Sequence, residues 1–259
     1  MYSFEDFKGI IARLRAPDGC PWDREQTHGS LRDCMIEEAY EVVDGIDRYE
    51  KTGSFENLRE ELGDVLLQVM MHSQIGEEEG IFTIEDVIHE ISEKMVRRHP
   101  HVFGEAEAKT SSQVLKNWDE IKKQEKGESS VSESLISVAR ALPANIRAQK
   151  VQKKAGKAGF DFQNMEEVLS KVTEELSETM EAWESGDRKQ IEEEYGDFLF
   201  SAVNLSRFLG VNAENSLTNA TDKFISRFKS VEAAASLKGR SVSEMDIDEL
   251  NELWENAKR

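Results

Sequence analysis

Cysteine and proline are both scarce in this chain, which has two residues of the first kind and four of the second among 259. Two thiols cannot form a disulfide framework, and such low usage is typical of a reducing compartment. So few prolines are compatible with long, uninterrupted helices. The sequence also lacks any run of about 18 apolar residues, and residues 1–19 lack the apolar stretch of a signal peptide. We therefore expect a cytoplasmic, helix-rich protein with no membrane partner.

Basic residues are outnumbered, because 33 Lys and Arg stand against 52 Asp and Glu and give a formal net charge of −19. A surface this acidic repels DNA, RNA and anionic lipid, so we expect no nucleic-acid partner. A polyanion such as a nucleotide can still bind, provided that metal ions or a few well-placed cations reverse the local field.

Three further absences narrow the chemistry and the fold. No Gly-x-x-x-x-Gly-Lys-Ser/Thr motif occurs, so a P-loop NTPase is not indicated. The five histidines are few and unpaired, which argues against a zinc site. No stretch alternates polar and apolar residues as a half-buried strand does, and the predicted fold is therefore all-α.

The chain contains one series of four motifs twice, in the same order and with the same internal spacing. The first series is Glu37-Glu38-x-x-Glu41, Glu60-Glu61-x-x-Asp64, Lys94-x-x-x-Arg98 and Trp118-Asp119-x-x-Lys122. The second series is Glu174-Glu175-x-x-Glu178, Glu193-Glu194-x-x-Asp197, Lys223-x-x-x-Arg227 and Trp254-Glu255-x-x-Lys258. A repeat of roughly 130 residues is the size of a duplicated domain rather than of a solenoid unit.

The composition between the two series indicates a linker. Gly127, the Ser/Glu-rich run 128–134 and Pro143 lie there, and such residues are typical of connecting segments. We predict an N-terminal unit over residues 1–122, a linker over 123–144 with a short helix around Leu135 to Leu142, and a C-terminal unit over 145–259.

Capping signals predict where several helices begin and end. Three polar residues are N-cap candidates, because an acidic residue follows each of them three positions later: Ser30, Thr83 and Asn164. Four glycines stand where helices should end: Gly45, Gly53, Gly186 and Gly210.

Pairs of carboxylates border an apolar arc on each predicted motif helix. In the first half these are Glu38, Glu41, Glu61 and Asp64, and in the second Glu175, Glu178, Glu194 and Asp197. The neighbouring arcs include Val43, Ile46, Leu62 and Leu66 in the first half, and Met180, Trp183, Tyr195 and Leu199 in the second. If the two helices of each half pack antiparallel through these arcs, the four carboxylates converge at a half-buried rim. Repulsion there raises their pKa values, and a hard divalent cation relieves it. All-oxygen ligation favours Mg²⁺, with Mn²⁺ as a substitute.

Cationic and aromatic residues follow each carboxylate set. Lys94 with Arg98, and Lys223 with Arg227, share a helix face and are candidates to contact phosphate oxygens. Lys171 lies one turn before Glu175 and could join them. Trp118 and Trp254 could stack on a base, or could instead fill the core.

At these motifs the sequence resembles the MazG nucleoside triphosphate pyrophosphohydrolases. Three further segments carry the resemblance: residues 17–28, residues 97–103 and the triplet Gly159-Phe160-Asp161. It implies an all-α fold of two duplicated MazG-type helical-bundle units, and a homodimer. It also implies Mg²⁺-dependent hydrolysis of a broad range of NTPs and dNTPs to nucleoside monophosphate and pyrophosphate, with a house-cleaning role in the nucleotide pool.

The resemblance also implies site residues. Metal ligands carry over onto Glu175, Glu178, Glu194 and Asp197. Nucleotide contacts carry over onto Lys171, Lys223, Arg227 and Trp254, with Gln190 as a looser match one turn before Glu194. The first unit departs at one position, because Cys34 stands where Lys171 stands in the second. We therefore favour the C-terminal site as the main catalyst and leave the N-terminal one open.

Hydrolysis of a phosphoanhydride needs charge neutralisation and an activated water, and Glu175 or Glu178 could take the proton of that water. Two other classes of protein use helical glutamates. A di-iron bundle needs Glu-x-x-His on two helices, whereas Asp64 and Asp197 stand at the fourth carboxylate position. An acidic adaptor without catalysis would explain the glutamates but not the cations and tryptophans that follow them twice.

Overall fold

The computed structural model describes residues 1–125 and 130–258, and every regular element within these ranges is helical. The all-α prediction is therefore confirmed. The chain divides into a first unit, Met1–Glu125, and a second unit, Lys126–Arg259. Residues 126–129 of the predicted linker, and the final residue 259, lie outside the described residues.

The described part of the first unit contains seven helices. They are α1 (Phe4–Arg15), α2 (Pro21–Glu25), α3 (Arg32–Thr52), α4 (Glu56–Glu78), α5 (Ile84–Arg98), α6 (Pro100–Phe103) and α7 (Ser111–Glu125). The two long central helices, α3 and α4, form a hairpin. Helix α3 ends at Gly53, whose φ of 75° is in the left-handed region that favours glycine.

The described part of the second unit contains six α-helices and one 3₁₀ turn at Val242–Glu244. The helices are α8 (Val131–Ile136), α9 (Ala144–Lys157), α10 (Met165–Ser185), α11 (Arg188–Phe208), α12 (Ala213–Leu237) and α13 (Ile247–Ala257). Helices α10 and α11 repeat the hairpin of the first unit. Helix α10 likewise ends at a left-handed glycine, Gly186, with φ 73°.

Most of the predicted helix ends are confirmed. The Thr83 hydroxyl accepts from the backbone N–H of Asp86, and the Asn164 side chain accepts from that of Glu167. The Ser30 prediction is wrong, because its hydroxyl donates to Gln26 Oε1 and α3 begins after Leu31. The predicted linker helix also lies earlier than expected, at Val131–Ile136, because Ser130 forms a capping box there.

Gly45 was predicted to end a helix, but it lies inside α3 where the hairpin is tightest. A Cβ atom added to this buried glycine would lie 2.9 Å from the Cα atom of Leu58 on α4. Ala182 is the matching residue of the second hairpin, seven positions after the second glutamate of its pair, and it is 0% exposed. Small residues therefore set the distance between the helices of both hairpins.

The prediction that the apolar arcs pack between the hairpin helices holds only in part, because Leu58 of the arc lies against Gly45 whereas other arc residues face solvent. Eight arc residues are 40% to 64% exposed: Val43, Ile46, Leu62, Leu66, Met180, Trp183, Tyr195 and Leu199. They form four matching pairs between the units, and we call each set of four the hairpin face of its unit. The carboxylates of the two antiparallel helices still come together as predicted, because the small residues Gly45 and Ala182 hold the helices of both hairpins in the same register.

Apolar packing in each unit lies away from the hairpin face. In the first unit the core cluster is Ile11, Leu31, Met70, Met71, Ile75 and Ile84. In the second unit a core cluster comprises Val231, Ala235, Met245 and Leu253, with Trp254 packed against it. Within the described residues, no helix combines the length and the apolarity needed to cross a membrane.

The tight contact at Gly45 gives a stability prediction. Gly45→Ala should lower the free energy of unfolding by about 1–3 kcal/mol, because the new methyl group meets the backbone of Leu58. The matched control is Gly9→Ala in α1, where nothing lies within 4 Å of the new atom. That change should raise stability by up to about 1 kcal/mol, as alanine does in an open helix position. Urea denaturation followed by circular dichroism measures both, and equal shifts would contradict the close approach.

Candidate active site

The second hairpin brings three of its four predicted carboxylates into one cluster. Glu175 comes from α10 and Glu194 and Asp197 from α11, and each offers one oxygen within 4.8 Å of the others. Glu175 is buried, Glu194 is half-buried and Asp197 is exposed. The cluster therefore opens to solvent on one side, as a site for a charged ligand must.

Charge repulsion within this cluster perturbs Glu194. Partial burial raises the pKa of its carboxyl group, and repulsion from Glu178 and Asp197 raises it further. The effect of Glu178 shows that the fourth predicted carboxylate lies near the other three. The cluster thus carries more negative charge than its own surroundings neutralise.

One cation lies directly on the cluster. The Nζ atom of Lys171 is 2.6 Å from Oε1 of Glu175 and 2.9 Å from Oε1 of Glu174. The hydrogen bonds that Lys171 donates to Glu175 and, to a lesser extent, to Glu174 raise the pKa of its ammonium group. The position predicted from the sequence therefore places a fully charged ammonium group at the edge of the carboxylates.

The first hairpin forms the matching cluster from Glu38, Glu41 and Glu61, again with ligand oxygens within 4.8 Å of one another. Partial burial raises the pKa of Glu38, and repulsion from Asp64 and then Glu41 adds to it. Burial followed by repulsion from Glu41 likewise raises the pKa of Glu61. Asp64 is thus the fourth neighbour here, as Glu178 is in the second unit.

An amide next to the first cluster was not predicted from the sequence. The Asn57 side chain donates to Oε1 of Glu61 at 2.6 Å. Asn57 stands four residues before Glu61, as Gln190 stands four before Glu194, so the repeat itself was the signal for it. Gln190 is exposed, and its backbone N–H is bonded to Asp187.

The two units differ in their cations. Cys34 occupies the position of Lys171, so the first cluster lacks an ammonium group of that kind. Arg98 is bound to Glu125 by an Nη2–Oε2 contact of 2.5 Å, and Arg97 also contacts Glu125 at 2.6 Å. The Arg98 guanidinium also lies 5.3 Å from the ring centre of Trp118. Within the described residues, no ion pair involves Lys223 or Arg227 of the second unit.

The remaining predicted nucleotide contacts make no polar contact with the second cluster among the described residues. Lys223 is exposed, Arg227 is half-buried, and Trp254 is half-buried with its ring centre 5.0 Å from that of Phe224. In the part of the chain that the structure describes, no hydrogen bond or ion pair joins Gln190, Lys223, Arg227 or Trp254 to the carboxylates. The structure therefore unites the predicted metal ligands and Lys171, but not these four residues.

The carboxylate clusters fit a hard divalent cation. Every candidate ligand atom is a carboxylate oxygen, and several converge within 4.8 Å. Burial and then repulsion between the carboxylates raise the pKa of Glu194, and a cation would relieve that repulsion. Mg²⁺ and Mn²⁺ take such oxygen ligands, whereas zinc prefers nitrogen and sulfur. The two clusters fit equally on these grounds, and only the neighbouring cations distinguish them.

The Glu125 contact gives a pH prediction. Arg98, followed by Arg97, lowers the pKa of Glu125 to about 2 from its usual 4.5. A depressed carboxyl pKa stabilises the fold above the unfolded value and loses that effect as pH falls through the folded value. The thermal midpoint of the wild type should therefore exceed that of Glu125→Gln above pH 4.5, and the difference should vanish toward pH 2. A difference that grows on acidification would contradict the ion pair.

Comparison with known proteins identifies the family. The profile of the MazG nucleotide pyrophosphohydrolase domain matches residues 26–103 and again residues 163–232. These two segments contain the two carboxylate hairpins. The chain belongs to the MazG family of nucleotide pyrophosphohydrolases.

Relatives that match nearly the whole chain agree with this assignment. Over 255 residues the chain is 47% identical to the nucleoside triphosphate pyrophosphohydrolase/pyrophosphatase MazG of Thermotoga maritima, covering 98% of this chain and 95% of that protein. It is 43% identical over 253 residues to the nucleoside triphosphate pyrophosphohydrolase of Escherichia coli K12, covering 96% and 95%. It is 32% identical over 255 residues to that of Mycobacterium tuberculosis, covering 96% and 65%. The prediction of a pyrophosphohydrolase is confirmed, and neither a di-iron protein nor an adaptor is supported.

Proposed function

We propose that this enzyme hydrolyses a broad range of nucleoside and deoxynucleoside triphosphates to monophosphate and pyrophosphate with Mg²⁺. The observation that carries the proposal is the cluster of Glu175, Glu194 and Asp197, open to solvent and edged by Lys171. The names of the relatives support the same substrates. In a strongly acidic chain, a bound metal ion and well-placed basic side chains can together reverse the local field and hold a triphosphate.

Glu175, Glu178, Glu194 and Asp197 would hold the cation, with Mn²⁺ as a substitute for Mg²⁺. When bound, the cation supplies charge neutralisation for the triphosphate and a lower pKa for a nearby water. Glu175 or Glu178 accepts the proton of the attacking water. Glu175 is the more enclosed of the two, and Lys171 holds its carboxylate in place.

The cations of the second unit contact the phosphate chain. Lys171 lies on the cluster already and can turn from Glu175 toward a phosphate oxygen. Lys223 and Arg227 stabilise the charge that develops on the departing pyrophosphate. Gln190 and Trp254 contact the nucleotide from the edge of the site.

The second unit is the main catalyst in this proposal. The first unit keeps Glu38, Glu41, Glu61 and Asp64, which can hold a second cation. Its phosphate-binding groups are impaired, because Cys34 brings no charge and Glu125 already neutralises Arg98.

We also propose a homodimer, for which the hairpin faces are the support. Each unit exposes four large apolar residues on its hairpin face, and such a surface is typical of a protein interface. A second copy of the chain supplies a matching hairpin to cover it. Two hairpins packed face to face form a four-helix bundle.

The proposal extends to a house-cleaning role in the nucleotide pool. It includes a cytoplasmic location, with nucleotides rather than nucleic acid as partners. The charge of −19 supports this, since it disfavours binding to DNA or RNA.

Product analysis tests the proposed reaction. Purified protein is incubated with ATP and with each dNTP, in Mg²⁺, Mn²⁺ or EDTA, and products are separated by ion exchange. We expect monophosphate and pyrophosphate with either metal and no turnover in EDTA. Diphosphate with orthophosphate would show that a different bond is cut, and turnover in EDTA would remove the role of the carboxylates.

A further inference from the structure

Two histidines of the first unit, His28 and His72, contact each other and are not part of the carboxylate cluster. His28 lies in the turn before α3, and His72 lies in α4. Their Nδ1 atoms are 2.7 Å apart, which is the distance of a hydrogen bond. The histidines look unpaired in the sequence because 44 positions separate these two.

The two imidazole rings are coplanar and point at each other. The angle between their planes is 3°, and the ring centres are 5.0 Å apart. That separation equals the 2.7 Å between the nitrogens plus the radii of the two rings, so both Nδ1 atoms lie on the line that joins the ring centres. This is the geometry of one straight N–H···N hydrogen bond, because a ring N–H and a ring lone pair both lie in the ring plane. Two Zn–N bonds of about 2.0–2.1 Å on one line would hold the nitrogens about 4 Å apart, so the gap fits a proton and not a metal ion.

The aromatic ring of Phe82 closes the space around His28. Its centre is 6.1 Å from that of the His28 ring. Phe82 also packs so closely on Gly76 of α4 that a Cβ atom added there would lie 2.8 Å from the Phe82 Cζ atom. Gly76 follows His72 by four residues, so the two face the same side of the helix. An uncharged wall therefore holds the His28 ring against α4.

The charged groups around the pair favour one additional proton and oppose a second. The Nε2 atom of His28 is buried without a hydrogen-bond partner among the described residues, and it lies 3.8 Å from Oε2 of Glu79. That carboxylate attracts a proton onto the His28 ring. Burial, followed by charge on His28, lowers the pKa of His72. Arg15 of α1 binds the backbone just before His28, and Glu78 neutralises it at 2.7 Å.

An N–H···N bond needs one proton between the two nitrogens. The bond forms when both rings are neutral or when one is charged, but not when both are charged, because two N–H groups then face each other. We propose that His28 and His72 form a pH-sensitive clasp, which fastens the turn before α3 to α4 and opens on the second protonation. Opening frees the start of the helix that carries Glu38 and Glu41.

Imidazole NMR during an acid titration of the whole chain tests the coupling of the two rings. In the wild type, His72 should bind a proton only after His28 is charged, and thus at a lower pH than an ordinary histidine. His28→Asn removes that charge and should move the protonation of His72 to higher pH. The matched control His89→Asn replaces an exposed histidine of α5 and should leave it unchanged. Protonation of His72 at the same pH in His28→Asn and in the wild type would overturn the clasp.

Thermal midpoints test the effect of the second proton on the fold. Because the pKa of His72 is lowered in the fold, the unfolded chain binds that proton at higher pH, and stability falls as pH drops below about 6.5. His72→Asn keeps an amide near the position of Nδ1 but does not titrate. Between neutral and mildly acidic pH, the wild type should lose about 2–4 °C more than His72→Asn, the scale of one hydrogen bond in a chain of this size. Equal losses would contradict the switch.

Hydrogen exchange locates the opening and needs only the wild type, so it remains decisive if a variant does not fold. Three amides of the turn are hydrogen-bonded within it, those of Thr27, Ser30 and Leu31. After correction for the intrinsic effect of pH, their protection should fall by about tenfold on mild acidification, the effect of one lost hydrogen bond. The amides of α1 should keep theirs. Unchanged protection of residues 27–31, or an equal loss throughout the first unit, would overturn the clasp.

Discussion

Glu175→Gln should lower kcat/KM for NTP hydrolysis by at least about a hundredfold, the scale of losing a charged group that acts on the transition state. Glutamine has nearly the same shape but no charge, so it removes both a ligand for the cation and the ionic partner of Lys171. Initial rates of hydrolysis over a range of ATP concentrations that extends below KM, at fixed Mg²⁺, measure the effect. A titration with Mg²⁺ should show in parallel that the variant binds the metal more weakly, so that a higher Mg²⁺ concentration is needed for its half-maximal rate.

Two controls separate this loss from damage to the fold or from activity elsewhere. Glu181→Gln makes the same change on the exposed side of α10 and should retain wild-type rates. Glu38→Gln makes it in the matching cluster of the first unit and should have a much smaller effect. If Glu38→Gln abolished hydrolysis and Glu175→Gln did not, the first unit would be the catalyst and the significance given to Cys34 would be wrong.

The same glutamates show what the sequence could predict. Repeated spacing placed Glu175 and Glu194 on paired helices, because helical periodicity and the short turn at Gly186 are local properties of the chain. Thr83 and Asn164 mark helix starts for the same reason. The capping signal failed at Ser30, because its hydroxyl donates to the side chain of Gln26, four residues earlier, instead of capping α3.

Contacts between distant segments were beyond the sequence signals. From the sequence, Gly45 looks like a residue that ends a helix. In the fold, α4 packs against it and leaves no room for a side chain. From the sequence, Arg98 is a candidate to contact phosphate, but in the fold Glu125 of α7 forms an ion pair with it. The hydrogen bond between His28 and His72 depends on how the turn before α3 meets α4. Each of these contacts depends on tertiary packing, and residue type and spacing alone do not predict it.

The hairpin face illustrates a related limit, because periodicity identifies an apolar stripe but not what covers it. Both units leave the same four positions exposed, and Trp183 is the largest and most exposed of them at 64%. One exposed tryptophan is ordinary on a protein surface. Four exposed apolar residues that recur in both units do need an explanation. The proposed second copy of the chain would cover it, since isologous pairing uses one self-complementary patch twice.

Trp183→Glu should therefore dissociate the proposed homodimer. Tryptophan at the centre of an interface contributes at least about 2 kcal/mol to association, so the dissociation constant should rise by at least about thirtyfold. A buried, unpaired carboxylate adds to the loss. The matched control is Trp22→Glu, which replaces a tryptophan of similar exposure, 61%, away from the hairpin face and should leave the dimer intact. Sedimentation velocity over a range of concentrations measures both. A wild type that is monomeric at micromolar concentration, or a Trp183→Glu variant as dimeric as Trp22→Glu, would mean that the hairpin face has another partner, and the proposed homodimer would have to be abandoned.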